Sequence, residues 1–413
     1  MTPEHHSIDI SSQAFWDSTF DERERSFARL RTEAGPTWHA PLPADFPYTE
    51  PGFWAATTHQ DIVYVSKNSE LFTSAEGVAV SPMPKEPQVA MSFFLTMDPP
   101  EHTIFRKLIA AAFTPRQVKR IQHQIEQTAR VIVDGLIGAG DVDFVSACSS
   151  LLPMHTVSDM IGIDQKDREP VRRAAEALFG AGEEKMATDV DSLTIMLTQV
   201  ELLRNAAIEI AEARRRKPED DLMTNIVQAE IDGHRLTNDQ IGAFMILLSS
   251  AGNDTTKQTT SHAMLGLARN PEQREWLLAD WDGRIGGAVE EFVRWASAVM
   301  SFSRRATRDT EIRGSRINAG DKVALFYCSG NRDASAFGGT ADVFDITRNH
   351  NPHIGFGGGG VHYCLGSHVA KTQLRALFRE LLTRTPKVEI GEPVWLKNTF
   401  VHGIKHLPAH FPA

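Results

Sequence analysis

Phe356-Gly357-Gly358-Gly359-Gly360-Val361-His362-Tyr363-Cys364-Leu365-Gly366 is the stretch on which the reading of this chain turns. Its glycine run lets the backbone turn and approach a large flat object where side chains would collide. A single cysteine follows, and beyond it Ala370, Leu374, Leu377, Phe378, Leu381 and Leu382 fall at the spacing of one buried helix face. Lys371, Arg375 and Arg379 recur on another face of that helix. Cys364 therefore stands just ahead of a helix N-terminus, where peptide dipoles and free N–H groups favour a negative sulfur.

A thiolate is the metal-binding form of cysteine. A lone cysteine is by default a buried, inert thiol; the glycine run and the helix start favour instead an axial sulfur on a haem iron. His362, beside it, can donate to an anionic cofactor edge. Zinc is the other metal reading, because His353, His362, Cys364 and His368 crowd one segment. It ranks well below haem, since there is no Cys-x-x-Cys and no second nearby cysteine.

The length of 413 residues suggests two or three domains. No Ser/Gly tract, charge block or internal repeat marks a boundary, so one domain over 1–413 is expected, with 1–15 as a loose N-terminal arm. A net charge of -10 argues against nucleic acid as a partner, which needs a concentrated positive field. Cys148, Cys328 and Cys364 are widely separated and odd in number, which is no disulfide framework. The first two read as core. The N-terminus lacks the apolar stretch of a signal peptide, and no apolar run approaches the ~20 residues of a bilayer span. A monomer in the cytoplasm is the expectation.

Along the chain, Phe53–Thr58 and Asp61–Val65 read as strand-like, and from about 102 onward the pattern is mainly helical, around 102–112, 116–137, 166–178, 192–216 and 219–229. Thr237 and Gln240 form a capping box opening a long helix, which Asn270-Pro271 stops. A further helix covers about 287–295, and Lys322–Tyr327 reads as strand. The fold class is mainly α with a small β region.

Inside the long helix lies Ala251-Gly252-Asn253-Asp254-Thr255-Thr256, where glycine costs about 1 kcal/mol against alanine and its neighbours are mediocre formers. Such a polar break suits a π-bulge or widened turn; an acid beside an alcohol there can pass protons to a ligand, and a solvated Asp254 on a local bend is the even alternative. Glu291 and Arg294 share a helix face and can pair. His102 and Arg106 flank one helical turn, and Arg304 is a further donor suited to carboxylates. Leu247, Ala251, Val299, Met300, Phe400 and Val401, with the 75–96 loop, are candidate walls for a lipophilic guest.

In this order the motifs resemble the cytochrome P450 monooxygenases in their soluble bacterial form, over essentially the whole chain. The resemblance implies one single-domain helical fold holding haem b (iron protoporphyrin IX), with O2 as co-substrate. It implies Cys364 as axial thiolate; Phe356, Gly358 and Gly366 in the cofactor loop; and His102, Arg106, Arg304 and His362 at the propionates. Asp254 and Thr255 would be the acid–alcohol pair, and Glu291, Arg294 and Arg348 a structural ion-pair set. The family loop has one residue fewer between its phenylalanine and cysteine, which leaves the placement of Phe356 open. The longer glycine form is similar to actinobacterial relatives that oxidise sterols and methyl-branched lipids, so a sterol, isoprenoid or branched lipid is the favoured substrate. No dinucleotide-binding fingerprint occurs. Electrons are therefore expected from a separate ferredoxin and its reductase, docking at Lys371, Arg375 and Arg379. A peroxide-driven or non-oxygenating haem-thiolate enzyme is the alternative, and a zinc- or haem-binding regulatory protein a distant one.

Overall fold

Thr237 opens the longest helix: its hydroxyl accepts from the Gln240 N–H while the Gln240 side chain accepts from the Thr237 N–H, satisfying two orphan donors reciprocally. In the computed structural model, which describes residues 3–44, 48–178 and 190–413, that helix runs unbroken over Asn238–Arg269. The helices that frame the site are α1 (Glu101–Ala112), α2 (Leu151–Ile161), α3 (Arg168–Leu178), α4 (Asn238–Arg269), α5 (Trp281–Ala296) and α6 (Ser367–Arg384). The principal sheet comprises β1 (Thr37–His39), β2 (Phe53–Ala56), β3 (Phe72–Thr73), β4 (Ser301–Ala306) and β5 (Lys322–Phe326).

Helix α4 is packed by α2, α3, α5, α6 and the Val190–Arg216 helix. It is buried on several faces at once and shows no single apolar stripe. The sheet order is β1-β2-β5-β4-β3, antiparallel except for β2 beside β5. Its strands alternate as a two-faced sheet must. Phe53, Ala55, Ala324 and Phe326 face a core built with Trp16 and Phe27. Trp54, Ala56, Val323 and Leu325 face the opposite core with Ile62 and Val65. A second sheet joins Gly140–Asp143, Pro408–Phe411 and Glu389–Ile390.

The mainly α architecture with a small β region is as expected; four local readings change. The strand-like run Asp61–Val65 lies in a helix, His59–Lys67, because Thr58 caps it by accepting from the Asp61 N–H. Ile62 and Val65, three apart, then face the core, so the β-branched residues serve helical spacing. The stretch 1–15 is no loose arm where it is described: Ile8, Ile10 and Phe15 are buried in the sheet-side core, and the His6 N–H donates to the Trp38 carbonyl. The break at Ala251–Thr256 stays α-helical, Thr255 Oγ1 donating to the Ala251 carbonyl four residues back. The π turn occurs at Val145–Ser149 instead. Helix α5 starts earlier than the apolar pattern shows, at Trp281, because Asp280 caps it by accepting from the Gly283 N–H. Cys148 and Cys328 are buried core residues, and burial pushes both thiols up, that of Cys328 to about 12.

Candidate active site

The loop before α6 is moulded against the helix His59–Lys67. A Cβ on Gly358 would stand 2.4 Å from Ser66 Oγ, and one on Gly360, at φ +75°, 2.3 Å from the Ser66 carbonyl oxygen. Both glycines are required by contact with a helix roughly 290 residues upstream in the chain, and Gly360 also by its left-handed backbone. The loop closes on itself where the Cys364 N–H donates to the Phe356 carbonyl at 3.0 Å.

Beyond the cysteine, the N–H groups of Gly366 and Ser367 donate to its sulfur. Burial pushes the thiol up, while those two hydrogen bonds and the Arg106 guanidinium pull the other way. A nearly buried sulfur with two backbone donors and a cation nearby is prepared to carry negative charge once a metal takes the proton's place. Gly366 itself has no steric demand: a Cβ there would meet Cys364 Sγ at an ordinary 4.0 Å.

On the other side of this loop, cationic groups converge. Arg106 Nη2, from α1, donates to the Tyr363 carbonyl at 2.6 Å. The His102 and His362 rings lie 4.3 Å apart, and His362 Nε2 shares a 3.1 Å hydrogen bond with Ser74 Oγ. Arg304, on β4, is fully enclosed and donates to the Ser303 carbonyl at 2.6 Å. Burial first, then Arg106, holds His102 at about 4. Burial, Arg304, His102 and Arg106 hold His362 at about 2. Neither ring nitrogen of the buried His102 has a hydrogen-bond partner in the protein. Two arginines, burial and each other's neighbourhood keep the two histidines neutral, and His102 leaves both ring nitrogens unpaired, so the cluster offers two cations and a free N–H to an anion. A haem with its sulfur ligand at Cys364 and its carboxylates at this cluster fits that chemistry.

Helix α4 supplies a further wall. Ala251 is exposed and Thr255 half-buried, while Asp254 is buried with its Oδ1 2.5 Å from Lys257 Nζ. Sequence reasoning missed Lys257, although its i,i+3 spacing from an acid was legible. Of the candidate pocket walls, Val299 bridges Val401, and Phe400 packs on Phe302 with ring centroids 5.4 Å apart. Leu247 is partly buried against the helical core. Met300 is a correction: it is 1 % exposed, packs in the sheet-side core, and its sulfur accepts from Arg23 Nη1 at 3.5 Å. Extended backbone turns successive side chains to opposite faces, so Val299 and Met300 cannot both face the guest.

Glu291 and Arg294 form a bidentate pair, both contacts 2.7 Å and both side chains wholly buried. Arg294 also donates to the carbonyls of Asn331, Ala341 and Val343. Glu291 accepts from the Asp345 N–H and from Asn351 Nδ2. Arg348 Nε comes to 3.4 Å of Glu291 without hydrogen-bond alignment, while its Nη1 and Nη2 donate to the Phe337 and Thr340 carbonyls.

The three basic residues read as one patch on α6 are not equivalent. Lys371 Nζ is held 2.6 Å from Glu290 and lies 5.3 Å from the Phe356 ring centre. Arg379 approaches Asp282 at 3.8 Å, and Arg375 is exposed. Glu290 also meets His353 Nε2 at 2.8 Å. Burial raises the Glu290 carboxyl, but hydrogen bonds from His353 and Lys371 outweigh it and hold the group at about 2. A depressed carboxylate contributes stability above its unfolded value, and that contribution is lost as pH falls toward its folded value. Glu290→Gln is therefore expected to flatten the fall in melting temperature between about pH 4.5 and pH 2. Parallel melting curves for the two proteins across that window would contradict the assignment. His353 is thus engaged with a carboxylate, and among the described residues no group of three His, Cys, Asp or Glu is placed to hold a metal ion. The zinc reading has no support.

Among the described residues no helix is long and apolar enough to cross a membrane. The family model for cytochrome P450 matches residues 194–385. The chain is 38% identical over 407 residues to the methyl-branched lipid omega-hydroxylase of Mycobacterium tuberculosis, covering 97% of this chain and 94% of the relative. It is 34% identical to the steroid C26-monooxygenase of Mycolicibacterium smegmatis, covering 87% and 83%. The solved structure of Mycobacterium marinum cytochrome P450 CYP268A2 in complex with pseudoionone superposes with a TM-score of 0.92 at 47% identity, over 99% of each chain.

Proposed function

The chain belongs to the cytochrome P450 family, a monooxygenase of bacterial type, and from that premise we propose that it inserts one atom of O2 into a C–H bond of a lipophilic small molecule. Residues 1–413 act in this reading as one domain, a cytoplasmic monomer fed by a ferredoxin and its reductase, with Arg375 and Arg379 as the docking charges. The carrying observation is the sulfur of Cys364, set beside a cluster of two arginines and two histidines in which neither ring nitrogen of His102 has a hydrogen-bond partner. Haem b, held there by that sulfur, would supply an iron whose thiolate-donated electron density favours O–O cleavage.

The protein's own residues provide position and protons. His102, Arg106, Arg304 and His362 would hold the carboxylates of the cofactor, giving the His102 ring the partner it lacks. Phe356 would pack beside the bound group, its ring under the Lys371 ammonium and its carbonyl accepting from the Cys364 N–H. The Gly366 and Ser367 N–H groups temper the charge on sulfur. Thr255 Oγ1 donates its proton to the Ala251 carbonyl and so presents its lone pairs at the open face of α4, where the hydroxyl can rotate to pass the proton on and Asp254, the preceding residue, can replenish it. Apolar walls from Leu247, Ala251, Val299, Phe400 and Val401 exclude water and leave a hydrocarbon guest as the occupant. The names of the M. tuberculosis and M. smegmatis relatives favour a methyl-branched lipid or a steroid, and the ligand of the M. marinum structure favours an isoprenoid.

Thr255→Ala tests the acid–alcohol assignment. The variant is expected to bind cofactor and lipid as the parent does, and to yield several-fold less product per electron pair, with peroxide making up the balance. Product yield unchanged from the parent removes Thr255 from proton delivery and points to a peroxide-driven enzyme. Displacement of the iron's water ligand by a panel of methyl-branched fatty acids, sterols and isoprenoids, read optically, identifies the substrate class.

A further inference from the structure

The back of α4, away from Thr255, is polar. Ser249 and Asn253, one turn apart, are 4 % and 3 % exposed, and neither Ser249 Oγ nor Asn253 Oδ1 has a hydrogen-bond partner. Ser250, Thr255, Thr259, Thr260 and Ser261, on the same helix, all return their hydroxyl protons to the carbonyl four residues back. Ser249 does not, and two adjacent orphaned oxygens in a helix interior need an explanation. Both line a cavity of about 20 Å³ enclosed by α2 and α3, through Val157, Ser158, Val171 and Ala175. A cavity holds one water above roughly 10–15 Å³ when it offers two or more polar partners, and this one satisfies both conditions. Its outer wall is Arg168 and Arg172, whose side chains reach solvent.

Helical geometry then connects this cavity with the front of α4. Taking Ser249 as origin, Asn253, Lys257, Asp254 and Thr255 follow at about 40°, 80°, 140° and 240° around the axis. Ser249, Asn253 and Lys257 thus share one side of the helix, Asp254 lies about a further 60° round, and Thr255 about another 100° beyond it on the open face. Lys257 and Asp254, both buried, are in ionic contact at 2.5 Å.

We propose that a single water held by Ser249 and Asn253 is the entry point for protons on this side of the enzyme, with Lys257 and Asp254 carrying them around α4 to Thr255. The inference rests on the acid–alcohol reading above. Each proton that Asp254 passes to Thr255 is recovered from the Lys257 ammonium, which regains it from the water and, behind that, from solvent past Arg168 and Arg172. No bond between heavy atoms changes, and the net event is one proton moved from bulk to the open face. Ser249 and Asn253 are positioning residues in this scheme, acting through the water they hold.

The test uses the full-length haem-loaded protein and its Ser249→Ala, Asn253→Leu and Thr255→Ala variants, with the panel lipid that binds most tightly. Crystals of the parent are expected to show one ordered water between Ser249 and Asn253, absent from the first two variants. Those variants should keep parental haem content and melting temperature, at least double the solvent deuterium isotope effect on oxygen consumption, and lower product per electron pair several-fold. A dry cavity in the parent overturns the proposal. So does loss of the water with isotope effect and yield unchanged, which makes the water a packing element only. The two readings fail separately: Thr255→Ala at parental yield sinks the acid–alcohol assignment, whereas Thr255→Ala uncoupled beside a normal Ser249→Ala sinks only the water entry. Should Asn253→Leu not fold, Ser249→Ala, which removes one oxygen from a buried site, decides the matter.

Discussion

Cys364→Ala is expected to yield a folded protein that has lost the strongly red-shifted Soret band of the ferrous carbon-monoxide complex and all oxygenation of lipid. The substitution removes one sulfur and little volume. Arg294 and Glu291 do not touch it, and the loop is held independently by the hydrogen bond from the residue-364 N–H to the Phe356 carbonyl and by the glycine contacts with Ser66. The fold is therefore retained while the ligand is not. Residual haem, if held by His102, Arg106, Arg304 and His362 alone, will lack thiolate character. An unchanged optical signature with continued oxidation of lipid would exclude Cys364 as the iron ligand and with it the reading of the whole site.

The second large effect concerns stability. Arg294→Met is expected to destabilise the protein by at least about 3–5 kcal/mol, the cost of breaking a buried pair by removing one partner. Three carbonyls, those of Asn331, Ala341 and Val343, lose their donor as well, each worth about 1 kcal/mol or more when left buried and unpaired. Against a total stability of about 5–15 kcal/mol the loss is a large fraction. The expected readouts are a marked fall in the denaturant midpoint and in the haem content of purified protein. Arg294→Lys should recover only part, since a point charge cannot reproduce a bidentate fork and its further donors. A midpoint within experimental error of the parent would show that the pair is dispensable.

What the sequence disclosed and what it withheld divide along a physical line. Features whose cause is local were legible. The Thr237/Gln240 capping box and the Asn270-Pro271 stop set the bounds of α4, and the i,i+3 spacing of Glu291 and Arg294 anticipated a real bidentate pair. Features whose cause lies far along the chain were not. Asp61–Val65 has the composition of a strand, and only its burial against the sheet shows that Ile62 and Val65 share one helical face. Met300 has the character of a pocket wall, yet Arg23 and the N-terminal core claim it. Lys371 falls in a basic row on α6, but Glu290, on α5, neutralises it. Candidate residues were thus named by type and spacing, whereas which way a side chain faces depended on partners from other elements. The glycine run shows the same division: its need for turning room was evident, and the surface against which it turns was not.

That surface has a consequence for how the pocket is made. Ser66, one jaw of the mould, leaves the ribosome 298 residues before Cys364, the other (364 − 66). Until synthesis of the chain is nearly complete, the glycines have nothing to lean on and the basic cluster lacks His362. A chain truncated before Phe356 would hold Ser66, His102, Arg106 and Arg304 but neither the glycine turn, nor His362, nor the sulfur, so capture of the cofactor waits on the last part of the polypeptide.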